Sequence, residues 1–193
     1  MATTTPKATH SNTANIVRIW DLFDEWRQLG AKRLADGTEL IGAQDEERTA
    51  WLHVIYRGLP STAIDRIVSE LGCQLPKDLR AFYRRCNGMQ LFGGAFRIFG
   101  LRERGVFEGD AALQPDDIVF ANHELDALGW KPDRAVVFAQ NAWDLSVHLV
   151  GMPDDPEGVV RCDRATGAVL ERHDGLFECI WQRLFRLDQL QLE

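Results

Sequence analysis

The chain lacks the sequence features that define several common classes of protein. Its 193 residues contain only four cysteines, and no two of them have the C-x-x-C spacing of a zinc knuckle or a thioredoxin-like redox site. Neither G-x-x-x-x-G-K-[ST] nor G-x-G-x-x-G occurs, and H-E-x-x-H and G-x-S-x-G are also missing. The sequence therefore predicts no phosphate-binding loop, no zinc protease site and no serine hydrolase elbow.

Basic residues and long apolar runs are also scarce. Lysine and arginine number 22 against 29 aspartates and glutamates, which gives a net charge of -7 and a pI near 5.3. Nucleic-acid binders usually have the opposite balance, whereas an acidic surface can steer a protein toward a basic partner or serve solubility alone. No run approaches the roughly 20 apolar residues of a membrane helix, and the N-terminus lacks an apolar signal region. We therefore expect a cytoplasmic protein that binds neither nucleic acid nor membrane.

Hydrophobic periodicity predicts a single α+β domain. The first 14 residues form a polar tail expected to be disordered, and residues 15–193 form the domain, with a helical extension at 15–59 and a core at 60–187. Helices at both ends of a hairpin-rich middle predict an antiparallel sheet covered by helices. Four helices are predicted at 16–29, 45–59, 116–128 and 174–187. Two more are predicted in between, one from the capping-box-like pair Thr62 and Asp65 to Gly72 and one from Pro76 to Asn87-Gly88. The predicted strands are 95–99, 135–139, 145–150, 159–162 and 168–172.

The residues with catalytic potential do not converge in the sequence pattern. Asp144, Ser146 and His148 share one face of a predicted strand, where neighbours stand nearly 7 Å apart with parallel side chains. We interpret them as a solvated strand face rather than a Ser-His-Asp triad. The five histidines are scattered without ligand spacing, so the sequence predicts no metal ion, no cofactor and no catalytic residue. An enzyme whose site is assembled from distant residues is left open.

Adjacent carboxylates are present at Asp116-Asp117, Asp154-Asp155 and Glu46-Glu47. General acid/base catalysis needs carboxyl groups that converge across a cleft, and neighbours in a loop rarely do so. These pairs are therefore interpreted as exposed charges in loops and at helix starts. Their functional alternative is a contact surface for a basic partner.

The run at 64–88, IDRIVSELGCQLPKDLRAFYRRCNG, carries the clearest family signal. Leu71-Gly72, Leu75-Pro76 and Asn87-Gly88 punctuate two short helices, and the second helix contains Phe82-Tyr83. This pattern resembles the SUKH superfamily, which joins fungal cell-wall synthesis regulators to many bacterial immunity proteins. The likeness extends over roughly 60–187 and departs from the usual pattern at Trp143, where a small residue is common.

The resemblance implies a non-enzymatic protein that works by binding another protein. Bacterial members are similar to antitoxins that block a toxin delivered by a competing cell, often a nuclease, whereas the fungal type would be a regulatory scaffold for a cellular protein. An acidic surface agrees with a toxin whose substrate site is basic. The candidate partner-binding residues are Asp116, Asp117, Trp143, Asp144, Asp154 and Asp155.

Overall fold

The computed structural model describes residues 10–45, 50–105 and 107–191. Within these residues nine strands form one sheet in which each strand pairs antiparallel with the next along the chain. This architecture confirms the predicted α+β fold. The strands are β1 (Ala31–Arg33), β2 (Glu39–Ala43), β3 (Trp51–Arg57), β4 (Cys86–Leu91), β5 (Phe96–Ile98), β6 (Val136–Asn141), β7 (Val147–Val150), β8 (Val159–Cys162) and β9 (Val169–His173). The α-helices are α1 (His10–Arg27), α2 (Ser61–Leu71), α3 (Lys77–Arg85), α4 (Ile118–Leu128) and α5 (Leu176–Gln191), and a 3-10 turn spans Gly109–Ala112.

One face of the sheet carries the main hydrophobic core. Cross-strand pairing sets Ile41, His53 and Leu91 side by side on this face, because directly opposed residues point the same way. Phe23 of α1 packs its ring against His53 at 5.5 Å, and α5 packs along α1. The apolar faces of both helices are therefore buried against the same layer of the sheet.

The two short amphipathic helices predicted from the family-like segment are confirmed. Ile64 and Ile67 of α2, and Leu79 and Phe82 of α3, are buried at the spacing of a helix face. Gly72 ends α2 with φ at 66°, a left-handed conformation that glycine adopts without a Cβ penalty. The tight connection between the two helices thus follows from the local sequence.

The start of α2 differs from the predicted capping box. Pro60 occupies the N-cap position, and no side chain caps the helix. The Pro60 carbonyl accepts the backbone N–H groups of Ala63 and Ile64 instead. Thr62 and Asp65 consequently lie inside the first turns, and Asp65 forms an ion pair with Arg80 of α3 at 2.8 Å.

The Asn87-Gly88 pair lies inside a strand instead of ending α3. Cys86 already belongs to β4, directly after the last helical residue. The Asn87 side-chain amide donates to the Leu101 carbonyl at 2.8 Å and accepts from the Leu101 N–H at 2.6 Å. A Cβ at Gly100 would lie 2.1 Å from the Asn87 carbonyl oxygen, so only glycine permits this approach. The Asn-Gly pair therefore joins β4 to the segment after β5.

The predicted helix at 45–59 is wrong, and the extension at 15–59 is only partly helical. After α1 it contributes β1, β2 and β3, and residues 46–49, with the Glu46-Glu47 pair, lie outside the described residues. β3 is buried on both faces, since His53 and Ile55 meet the main core while Val54 and Tyr56 join a second cluster with Leu40. A continuous apolar run of this kind also satisfies helical spacing, so periodicity alone could not identify it.

The N-terminal helix begins within the segment assigned to the polar tail. α1 starts at His10, so residues 10–14 are helical, and residues 1–9 lie outside the described residues. The buried side chains of Ile19, Phe23 and Trp26 confirm the predicted apolar face of this helix. Packing against the sheet and α5 stabilises the helix, because an isolated helix of this length is marginal in water.

Candidate functional site

The turn between β6 and β7 presents an exposed aromatic side chain. Trp143 is 55% exposed, and Leu145 is exposed beside it with φ at 56°. Asp144 organises this turn, since its Oδ1 accepts the Ser146 N–H at 2.9 Å and the Ser146 hydroxyl at 2.7 Å while its Oδ2 pairs with Arg161 of β8. Partial burial would raise the pKa of Asp144, but these bonds outweigh it and lower that pKa. Asp144 therefore stabilises the turn that presents Trp143.

The predicted solvated face of Asp144, Ser146 and His148 is wrong for two of its members. Ser146 and His148 are buried, because β7 lies in the interior of the sheet and is covered on both faces. The Ser146 hydroxyl contacts Asp144 directly and accepts from Asn141 Nδ2 at 2.7 Å and Arg161 Nε at 2.8 Å. Within the described chain no hydrogen bond joins Ser146 to His148, so the histidine is not placed to act as the base of a triad. The absence of nucleophilic catalysis stays a prediction.

Asp116 and Asp117 lie where the segment after β5 enters α4. Asp117 is the N-cap of α4, and its Oδ1 accepts the backbone N–H groups of Val119 at 2.8 Å and Phe120 at 3.4 Å. Asp116 is partly exposed and lies 3.7 Å from Arg97 of β5. Asp117 is thus occupied by helix capping, whereas Asp116 presents a carboxylate on the surface.

Replacing Asp117 with alanine should lower the free energy of unfolding by about 1 kcal/mol, the typical cost of losing an N-cap side chain. Asp117→Asn should restore most of that loss because asparagine caps equally well. Urea denaturation measures both, with Asp116→Ala as the matched control, since an exposed ion pair contributes little. Equal stability of Asp117→Ala and the parent protein would contradict the capping role.

Asp154 and Asp155 lie in the loop between β7 and β8. The Asp155 carboxylate accepts the Gly158 N–H at 3.2 Å, and a Cβ at Gly158 would lie 2.2 Å from that carboxylate. The Asp154 side chain is 68% exposed and lies 4.0 Å from Arg172 of β9, at the limit of an ion pair. Asp155 therefore stabilises the backbone of this loop, whereas the Asp154 side chain extends into solvent.

A cleft lies beside this loop, with a volume of about 460 Å³. We call it the acidic cleft, and define it by Gln74, Leu75, Pro76, Asp133, Arg134, Gly151, Met152, Pro153, Pro156 and Glu157. Gly151 has φ at 78°, and a Cβ there would stand 3.4 Å from Pro76 Cγ, so glycine lets the loop approach α3 closely. Arg134 also has a positive φ of 67°, a conformation that non-glycine residues adopt mainly at constrained sites. Sequence reasoning missed this cleft because its walls come from three separate segments.

The six candidate residues do not form one patch. The β6–β7 turn with Trp143 and Asp144 lies at one end of β7, and the loop with Asp154 and Asp155 lies at the other. Asp117 forms an isolated β-bridge with Gly100, just beyond the end of β5. Because β5 ends where β6 begins and β7 ends, Asp117 lies at the same end of the sheet as the acidic cleft. The side chains of Asp116 and Asp144 are 39% and 35% exposed, whereas that of Asp154 is 68% exposed and extends mainly into solvent.

A buried cluster of metal-ligand residue types lies on the helix-bearing face. His148 of β7, His173 of β9 and Cys179 of α5 present ligand atoms within 4.8 Å of one another. His148 Nδ1 lies 3.3 Å from Cys179 Sγ. Burial lowers the pKa of His148 and raises that of Cys179, so both are neutral in the protein as it stands. The scattered histidine spacing gave no sign of this group, because the three residues meet only through strand pairing and helix packing.

The described residues define an α+β domain with an acidic cleft at one end of its sheet and an exposed aromatic turn at the other. Comparison with known protein families matches residues 58–177 to the SMI1 / KNR4 family (SUKH-1), which confirms the resemblance, and the chain belongs to this family. The comparison with curated proteins found no match. Among the described helices, none combines the length and apolar character needed to cross a membrane.

Proposed function

We propose that this protein is a non-enzymatic binding domain that neutralises a toxin delivered by a competing cell. Membership of the SUKH group supports the binding role, since that group includes many bacterial immunity proteins. The observation that carries the proposal on this chain is the acidic cleft with its neighbouring loop, which lies inside the matched residues. The partner expected for it is a nuclease toxin, because the substrate site of a nuclease is basic.

The acidic cleft combines the two features of a protein-binding surface. Leu75, Met152 and Pro153 supply apolar lining, and the charged lining residues are Asp133, Glu157 and Arg134, which leaves an excess of one carboxylate. Interfaces of this kind gain affinity from the buried apolar centre, while complementary charge at the rim accelerates encounter. The cleft would therefore receive an apolar side chain that is surrounded by lysine or arginine on the toxin.

Trp143 supplies a second contact point at the opposite end of β7. That strand has four residues, so the two contact regions are separated by about 13 Å of strand plus the flanking turns. A standard interface covers about 800 Å² on each partner, which is wide enough to include both. Exposed tryptophans are frequent energetic anchors at such interfaces. One toxin surface laid along β7 could thus contact the cleft and the turn together.

The test is co-expression with the toxic domain encoded by the neighbouring gene, followed by association kinetics at low and high salt. Asp154→Lys combined with Glu157→Lys should slow association at least tenfold at low salt, because oppositely charged surfaces steer encounter and salt screens them beyond about 8 Å at physiological ionic strength. Asp155 is kept because it fixes the loop. Trp143→Ala should instead accelerate dissociation.

The matched control is Asp21→Lys with Glu25→Lys, two exposed carboxylates on α1. These reversals change the net charge equally but lie outside both contact regions, so they should alter association much less. Failure of the adjacent gene product to bind would remove the immunity role, and binding to a resident cellular protein alone would favour the regulatory role of the fungal type. Binding that ignores salt and both pairs of reversals would contradict the acidic cleft as the contact.

A further inference from the structure

Three strands and one helix place the buried His148, His173 and Cys179 side by side. Val150 lies two residues after His148, on the same face of β7. It pairs with Val159 of β8, and Val159 pairs with His173 of β9, so all four side chains lie on one face of the sheet. Both histidines therefore point toward α5, where Cys179 is fully buried. The two imidazole rings lie nearly parallel, with centroids 6.4 Å apart.

His173 has two ring nitrogens without a hydrogen-bond partner. Its side chain is only 1% exposed, so bulk solvent does not reach these groups. Burial lowers the pKa of His173 and outweighs a weak contact with Gln182 that acts to raise it, and Glu171 Oε2 stands 3.9 Å from Nε2, beyond hydrogen-bond distance. Buried polar atoms in native proteins nearly always have a partner, and an orphaned imidazole nitrogen beside a second imidazole and a thiol indicates a missing ligand.

We propose that His148, His173 and Cys179 form a binding site for a thiophilic divalent metal ion, with Zn²⁺ as the best fit. Zinc bonds to cysteine sulfur at about 2.3 Å and to histidine nitrogen at about 2.0 Å, so tetrahedral ligand atoms lie roughly 3.3–3.7 Å apart. The 3.3 Å between His148 Nδ1 and Cys179 Sγ already meets this requirement. All three ligand atoms lie within 4.8 Å of one another, so the longest separation would shorten by at most about 1 Å on binding.

Binding requires the loss of one proton. The Cys179 S–H bond breaks as the sulfur–zinc bond forms, and the proton leaves to solvent. The two histidines bind as neutral imidazoles and release no proton. Metal uptake should therefore release one proton per ion near neutral pH.

The ligand types in the cluster select the kind of ion. Arg161 is paired with Asp144 and Glu171, and Arg183 is paired with Glu171. The cluster itself contains no carboxylate, the ligand on which Mg²⁺ and Ca²⁺ depend. Thiolate and imidazole ligands instead favour zinc and its soft analogues. A bound ion would fasten α5 to β7 and β9.

The experiment uses the full chain, stripped with a chelator and titrated separately with Zn²⁺, Co²⁺ and Mg²⁺. We expect one Zn²⁺ per chain, a rise in the melting temperature, release of one proton, and a near-ultraviolet sulfur-to-cobalt charge-transfer band with Co²⁺. Mg²⁺ should produce none of these effects. Cys179→Ser and His173→Gln should lose the cobalt band and the zinc-dependent thermal shift, whereas Cys162→Ser, a buried cysteine outside the cluster, should keep both.

X-ray absorption of the zinc-loaded parent protein decides the ligand set even if Cys179→Ser fails to fold. One sulfur at about 2.3 Å with nitrogen and oxygen neighbours at about 2.0 Å supports the site. A shell without sulfur would overturn it. The proposal is also overturned if the parent protein shows neither a thermal shift nor a cobalt band. A cobalt band that persists in Cys179→Ser and disappears in Cys73→Ser would overturn it as well.

Discussion

Replacing Phe82 with alanine should lower the free energy of unfolding by about 3–5 kcal/mol, the usual cost of truncating a buried aromatic side chain. Phe82 is 3% exposed on α3 and packs edge-on against Tyr83 with ring centroids 5.7 Å apart. Its removal leaves a cavity that the rigid sheet beneath cannot collapse to fill. Because typical domains have only about 5–15 kcal/mol of net stability, this single change should lower the urea midpoint markedly.

The matched control is Phe120→Ala on α4, where the ring is 62% exposed. That change should alter stability by about 0.5 kcal/mol or less. Leu71→Ala should fall between the two, since Leu71 is only partly buried at the end of α2. If Phe82→Ala kept the stability of the parent protein and lost only partner binding, α3 would be an interface and its aromatic side chains would not belong to the core.

Local sequence was sufficient to predict the helices whose boundaries are set by nearby residues. Gly72 ends α2, and Phe177, Ile180 and Leu184 repeat at helical spacing along α5. The same reasoning failed at β3, because a strand buried on both faces has apolar residues on both of them and so also satisfies a helical pattern. Only its pairing with β2 and β4, which is a long-range property, distinguishes the two structures.

The candidate site shows the same division between local and long-range information. Sequence reasoning identified Asp154 as an exposed carboxylate because a proline-containing acidic loop surrounds it. It could not predict that Asp144 pairs with Arg161, or that the acidic cleft brings Pro76 beside Gly151. The buried histidine and cysteine cluster was likewise invisible, since the register of β7, β8 and β9 creates it.

Acidification should destabilise the protein through His53, which is enclosed by aromatic rings. Trp26 stacks on its imidazole at 4.0 Å, and Phe23 and Phe92 meet it edge-on. Desolvation by burial lowers the pKa of His53 from 6.5 to about 3. Between about pH 3 and pH 6.5, the unfolded chain therefore binds a proton on His53 that the folded chain does not bind. The contribution of His53 to the free energy of unfolding is fully present above pH 6.5 and is lost progressively as the pH drops toward 3. The loss amounts to about 2 kcal/mol at pH 5.

The variant that isolates this effect is His53→Phe, which keeps an aromatic ring in the enclosure and removes the titrating group. Its unfolding free energy should fall by about 2 kcal/mol less than that of the parent protein between pH 7 and pH 5, as measured by urea denaturation at each pH. The buried His148 and His173 also have lowered pKa values and leave a residual acid dependence in both proteins. The exposed His123→Gln should retain the full dependence of the parent. Identical pH profiles for His53→Phe and the parent protein would show that His53 is protonated within the fold, which its aromatic surroundings make costly.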